Sequence, residues 1–190
     1  MNDATPRDRS TDDPDEVFDL VDRDDRVIGR VRRGEAHGNP ALVHRSVQVL
    51  LFDGAGRVLL QRRSRTKDLY PGVYCASASG HVHSGDDYAT TAARELREEL
   101  GVEVALRFVE RQLIASPYET EMTALYLGRC DGPFAFHPGE TDGGRFFTLA
   151  EIAALRARDD LPLTPSVEDA LATVERLVTS GALAALLAAL

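Results

Sequence analysis

Residues 80–102 read GHVHSGDDYATTAARELREELGV, and within them Asp86 to Leu100 carries apolar or small side chains at Tyr88, Ala89, Ala92, Ala93, Leu96 and Leu100. That is the period of an α-helix with one face turned to a core, and Gly101 is the residue type that ends helices in a left-handed conformation. Positions three and four apart share a helix face, so Glu95 falls beside both Glu98 and Glu99. Three like charges are crowded there, and Glu98 and Glu99 lie near the helix C-terminus, where the macrodipole also disfavours anions. A bound divalent cation removes the penalty, because hard ions such as Mg²⁺ prefer carboxylate oxygens and keep the waters that phosphate chemistry needs. Taken alone, residues 94–99 read more readily as a solvated, salt-bridged helical face.

The spacing around the helix favours the first reading. Gly80, five residues, Asp86, seven residues, then Arg94-Glu95-Leu96-Arg97-Glu98-Glu99-Leu100-Gly101-Val102 closely resembles the Nudix box, G-x5-E-x7-R-E-U-x-E-E-x-G-U, where U is apolar. A long motif with fixed gaps is far more specific than a lone glycine pattern. The one departure is Asp86, where the family usually has Glu. The resemblance implies that this acid braces the box arginine, here Arg94, and Asp is also a good helix N-cap. It further implies an α/β (mixed α+β) fold, a Nudix-type α/β/α sandwich with a mixed central sheet and a catalytic loop-helix-loop.

Upstream, residues 17–31 read as an opening hairpin around Asp24-Asp25, and residues 46–61 as a second hairpin turning at Asp53-Gly54-Ala55-Gly56. A strand is expected over 73–79 after Pro71-Gly72. Further strands are expected near 106–115, 121–127 and 145–149, with helices over 149–157 and from Pro165 to the C-terminus.

The resemblance covers roughly Val17 to Leu149 and leans toward the branch that includes type I isopentenyl-diphosphate isomerase. That branch carries two His seven residues apart before the central strand, a third His directly after the box Gly, and a Glu-x-Glu on a later strand. His37 and His44, His81, and Glu119-Thr120-Glu121 match. They imply a site for a second divalent cation, Mn²⁺ or Zn²⁺, since mixed nitrogen and oxygen ligands suit these ions as well as Mg²⁺. Singly, each of these residues also reads as an ordinary loop or surface-strand side chain. The densest basic run, residues 61–67, supplies Arg63 and Lys67, which match the branch's diphosphate-binding Arg and Lys, and Arg33 matches a further Lys. The isomerases also use a Cys directly before the box Gly and a Trp on a late helix. Here those positions are Ser79 and Ser166, and the chain has no Trp. Ser is a poor proton donor beside Cys, and without an aromatic ring nothing faces a carbocation.

The expected function is therefore hydrolysis of a diphosphate linkage in a small phosphorylated substrate of nucleoside, sugar or isoprenoid type. Mg²⁺ or Mn²⁺ is expected on Glu95, Glu98 and Glu99, and the general base is one of these or Glu119 or Glu121. The alternatives are an isomerase-like enzyme and a non-catalytic diphosphate-binding sensor.

Bulk composition sets the remaining bounds. With 190 residues, 43% hydrophobic and 28% charged, one domain over 16–190 is expected, preceded by a disordered tail over 1–15. A net charge of −9 opposes nucleic-acid binding. Two isolated cysteines and no apolar leader make the cytoplasm the simplest home. The apolar residues 182–190 are too few to span a membrane and read as the end of a packed helix or a homodimer contact.

Overall fold

In the computed structural model, which describes residues 13–67 and 69–190, the chain is organised around strand β3 (Val43–Phe52). Its alternation explains the layers. Val47, Val49 and Leu51 point to one side, where they pack with Ala92, Leu96 and Leu100 of helix α2 (Tyr88–Leu100). Leu50 and Phe52 point to the other, against helices α3 (Leu149–Arg156) and α4 (Pro165–Thr179). The result is the expected α/β/α sandwich, with a sheet whose two faces are each closed by helices. On the second face the side chains change character along β3: His44, Ser46 and Gln48 precede Leu50 and Phe52. Their polar half of the strand is where a cleft opens.

The sheet is mixed. β3 runs parallel to β8 (Thr120–Arg129), from Val43 opposite Thr120 to Phe52 opposite Arg129. It runs antiparallel to β1 (Val17–Val21), β4 (Val58–Arg63) and β6 (Ala78–His81). β2 (Val27–Arg32) completes the opening hairpin, β7 (Leu106–Ala115) pairs with β8, and β5 (Tyr74–Cys75) and β9 (Thr141–Phe147) pair with β4. Between β2 and β3 a single turn of helix, α1 (Arg33–Ala36), ends at His37.

Four sequence expectations are corrected. The strand over 73–79 is interrupted: Cys75 pairs with Gln61 of β4, but Ala78 pairs with Val49 of β3. Ser77 makes the switch, its hydroxyl donating to Leu59 O at 2.6 Å while accepting from Leu51 N at 2.8 Å. The last strand ends at Phe147, because Thr148 caps α3 through a reciprocal pair with Glu151. The C-terminal helix breaks at Gly181 (φ 74°), and α5 (Ala182–Ala188) leaves α4 at 100°. The box helix starts at Tyr88 rather than Asp86. Of the expected tail, residues 1–12 lie outside the described residues, whereas Pro14 O accepts from Gly34 N at 3.0 Å. Among the described residues no single helix is long and apolar enough to cross a membrane.

The N-cap of α2 is Asp87, whose carboxylate accepts from Thr90 N and Thr90 Oγ1, each at 2.8 Å. These hydrogen bonds hold its carboxyl below the usual range. Asp87→Ala is expected to lower unfolding free energy by about 1 kcal/mol, read from the denaturation midpoint at unchanged slope.

Candidate functional site

The box acids occupy different environments on one helix. Glu95 and Glu99 are buried, while the Glu98 side chain is 58% exposed. Glu99 is gripped by the sheet: Ser79 N donates to Oε1 at 3.3 Å, and the Gln61 amide donates to Oε2. Burial pushes Glu99 up to about 7, against the opposing pull of Gln61. Burial, and next the charge of Glu99, push Glu95 well above the usual carboxylate range. Glu95 in turn lies against the backbone of Gly80, and a Cβ on that residue would fall within 2.6 Å of its Oε2. The box glycine is thus needed for close approach, not for a turn.

Arg94 is braced differently from the expectation. Asp86 pairs with His83 at 3.7 Å, and no Asp86–Arg94 ion pair is found among the described residues. The shorter acid sits before the cap, outside the helix, so the arginine is held by nearer groups. Its guanidinium meets Glu95 at 3.0 Å, Glu98 at 3.8 Å, the carbonyl of His81 at 3.1 Å and the His83 ring at 3.3 Å. His83 is itself joined to Glu16 at 2.7 Å.

The second constellation is assembled from three strands and the end of α1. His44 of β3 sits opposite Glu121 of β8, and His81 of β6 sits opposite Ser46. One ligand atom from each of His37, His44, His81 and Glu119 lies within 4.8 Å of the others. Glu121 meets His81 at 3.4 Å, and His37 meets Glu119 at 3.1 Å. His44 and His81 both stack on Phe18, at 5.1 and 4.6 Å between centroids. Burial lowers the pKa of His44 and, more strongly, of His81, so both rings are held neutral. His44 Nδ1 lies 3.2 Å from Leu42 O, which leaves Nε2 as the lone-pair nitrogen, and that buried atom has no hydrogen-bond partner among the described residues. A neutral imidazole with one nitrogen fixed by a carbonyl and the other unoccupied is the form that ligates metal. The donor set therefore fits a divalent cation. So does the box, where two buried acids oppose each other's ionisation.

The box acids Glu95, Glu98 and Glu99 and, from the second constellation, His37, His81, Glu119 and Glu121 line one cleft of about 670 Å³. Arg63, Lys67 and Arg33 line it too. Arg63 Nε donates to Leu69 O at 3.0 Å, Lys67 pairs with Glu140 at 2.7 Å, and Arg33 pairs with Glu16 at 3.0 Å while lying 3.3 Å from His81 Nδ1. Gln61 and Glu140 were not singled out by the sequence. Gln61 could have been, since it heads the basic run. Nothing local marks Glu140, which enters the site by the antiparallel pairing of β4 with β9.

Comparison with known proteins gives the family and the fold. Residues 42–167 match the family described as the NUDIX domain. An uncharacterised Nudix hydrolase of Pseudomonas aeruginosa is 36% identical, over 82% of this chain and 91% of its own. An isopentenyl-diphosphate Delta-isomerase of Nocardia farcinica is 33% identical, over 80% and 91%. A Deinococcus radiodurans protein of known crystal structure superposes with a TM-score of 0.71 at 30% identity, covering 80% of this chain and 96% of that one.

Proposed function

The chain belongs to the Nudix family of hydrolases, and from that premise we propose that it cleaves the diphosphate linkage of a small phosphorylated substrate with the help of divalent cations. The observation that carries this reading is the shared cleft, lined by the box acids, by His37 and His81, and by the cations Arg63 and Lys67. Enzymes of this family generally use divalent metals. In this reading Glu95, Glu98 and Glu99 hold Mg²⁺ or Mn²⁺, and His37, His44, His81, Glu119 and Glu121 hold a second ion, Mn²⁺ or Zn²⁺. Bound there, the ions polarise phosphoryl oxygens and make a water nucleophilic near neutral pH.

The chain's own groups do the rest. Arg63 grips phosphate oxygens through its guanidinium, and Lys67 exchanges Glu140 for a second phosphate. Arg33 acts on His81, fixing its ring, instead of on the substrate. Glu98, the exposed box acid, and Glu121 are the carboxylates that can accept a proton from water in the cleft. The experiment is a panel of nucleoside, sugar and isoprenoid diphosphates with Mg²⁺ or Mn²⁺. Release of a monophosphate product that stops on chelation is expected, and no release from any member would overturn the reading.

The His and Glu cluster shared with the isomerases supports a second reading. Against it, Ser79 and Ser166 line the cleft where that chemistry needs Cys and Trp. Cys75 also lines it, but burial pushes its thiol up to about 12. Deuterium uptake into isopentenyl diphosphate in D₂O, without phosphate release, would establish isomerisation instead.

A further inference from the structure

The opening hairpin precedes the residues that match the family, yet it grips the loop that leads into the box helix. His83 Nε2 pairs with Glu16 at 2.7 Å, and Ser84 N donates to Val17 O at 2.9 Å. Ser84 Oγ and Gly85 N donate to the two carboxylate oxygens of Asp19, at 2.7 and 3.3 Å. Tyr88, the first residue of α2, donates its hydroxyl to Asp25 at 2.9 Å. Between Val17 and Asp19, Phe18 stacks on His44 and His81. One strand thus touches both constellations: it backs two imidazoles of the cluster and holds the segment from which Glu95, Glu98 and Glu99 project.

Asp25 is the most constrained residue of this clamp. Its φ of 64° lies in the left-handed region, where glycine is the ordinary choice, and its side chain is only 6% exposed. Besides the Tyr88 hydroxyl, its carboxylate accepts from Arg45 Nε at 2.6 Å and from Arg111, and its carbonyl accepts from Arg45 Nη2 at 2.7 Å. The turn itself is closed by another acid, since Asp22 Oδ1 accepts from Asp24 N and Arg26 N, each at 2.9 Å. Glycine at position 25 would therefore make the same turn with less strain. What it would lose is the tie to α2 and the counter-charge of Arg45. Arg45 follows His44 in β3, and its carbonyl accepts from Val82 N at 3.0 Å, so it joins Asp25 to the beginning of the same loop.

Resting on the hydrolase reading above, we propose that Asp25 is a positioning residue of the reaction. Through the Tyr88 hydroxyl it fixes the start of α2 against the hairpin, and so sets where the box acids stand relative to Gly80 and to the His and Glu cluster. Misplacing a reacting group by about 1 Å from a distant substitution lowers turnover by up to about a hundred-fold. With Asp19 and Glu16 still holding the loop, removal of the Asp25 tie alone is a smaller displacement.

The test uses the full chain with Asp25→Gly, Asp25→Asn and Tyr88→Phe. Glycine keeps the turn and removes the carboxylate, and asparagine tolerates the left-handed φ while keeping an oxygen for the Tyr88 hydroxyl. Phenylalanine removes only the hydroxyl and keeps the ring, whose centroid lies 5.5 Å from the Arg45 guanidinium. Asp25→Gly and Tyr88→Phe are each expected to lower kcat on the most active diphosphate of the panel about ten-fold at nearly constant KM, and to weaken Mn²⁺ binding about ten-fold by calorimetry. Because they break one contact, the double variant should lose little more than Asp25→Gly alone, and Asp25→Asn should recover most of the loss. A lowered thermal midpoint with parental kcat and Mn²⁺ affinity would mark a merely structural contact and overturn the proposal, as would losses that multiply in the double variant. Should Asp25→Gly fail to fold, Tyr88→Phe decides by the same two measurements. Calorimetry also separates the proposal from the hydrolase reading. Mn²⁺ affinity that falls in Tyr88→Phe and is kept in Asp25→Asn supports the clamp even if no diphosphate is cleaved, and affinity that ignores Asp25→Gly and Tyr88→Phe refutes it even if hydrolysis is confirmed.

Discussion

Gly80→Ala is expected to lower kcat/KM by about a hundred-fold or more while leaving the protein folded, because the added methyl group displaces a reacting group rather than the core. A Cβ at this position falls inside contact distance of the whole Glu95 carboxylate, with even Oε2 only 2.6 Å away. The strand cannot move aside, since Gly80 pairs with Val47 in the sheet. Glu95 is the flexible partner and must swing out, away from Arg94 and from the place where a cation would be held. The energetic loss to the fold is that of modest overpacking, about 1–3 kcal/mol, and it should appear as a lowered thermal midpoint. Removing the clash from the other side tests the cause. The double variant Gly80→Ala/Glu95→Ala should regain most of the stability and none of the activity, a non-additivity expected of groups in contact. Calorimetry with Mn²⁺ should show weakened binding in Gly80→Ala. Wild-type Mn²⁺ affinity and turnover in that variant would show that Glu95 has no part in the site.

The contrast between Gly80 and Gly101 shows what could be read from the sequence. Gly101 follows a run of helical period and adopts φ 67°, as a helix stop should, so its role was legible from its immediate neighbours. Gly80 was marked only by resemblance, because the carboxylate it accommodates is fifteen positions away and meets it through the packing of α2 on β6. The same division runs through the site. The helix follows from its period, whereas the layers and the His and Glu pattern were legible through the resemblance. Gln61 on Glu99, Glu140 on Lys67 and the Ser77 switch between β4 and β3 depend on which strands lie side by side, which no local pattern encodes. Asp86 shows a subtler limit. Its position in the motif was clear, but one methylene less and the neighbouring Asp87 cap leave it with His83 and not Arg94.

Glu99→Gln should make the metal-free protein more stable and the metal-bound protein less so, an inversion that a structural acid would not give. Glu99 has an ordinary value of 4.5 and is pushed up to about 7 by burial. A raised carboxyl keeps its proton in the native state at pH values where the unfolded chain has lost it, so stability falls as pH rises from about 4.5 to about 7 and is level above. Across that window the loss is at most about 3–4 kcal/mol at 1.4 kcal/mol per unit, and the charge of Glu95 shares in it. Glutamine removes the ionisation and keeps one oxygen, for Ser79 N, while its amide nitrogen takes the place of Oε2 and donates to the otherwise unpartnered oxygen of Gln61 once that amide turns over. In chelator at pH 8, Glu99→Gln is therefore expected to gain about 1–3 kcal/mol over the parent, with the difference vanishing near pH 4.5. With Mn²⁺ at about a hundred times its dissociation constant the parent gains about 2.7 kcal/mol by mass action, and the variant, lacking a ligand charge, gains much less. Its kcat should fall at the same time, since a buried acid retained at the expense of stability is retained for function. A variant less stable than the parent in chelator at pH 8 would mean that the Glu99 charge is already compensated within the fold. The crowded acids of α2 would then be no site waiting for a cation.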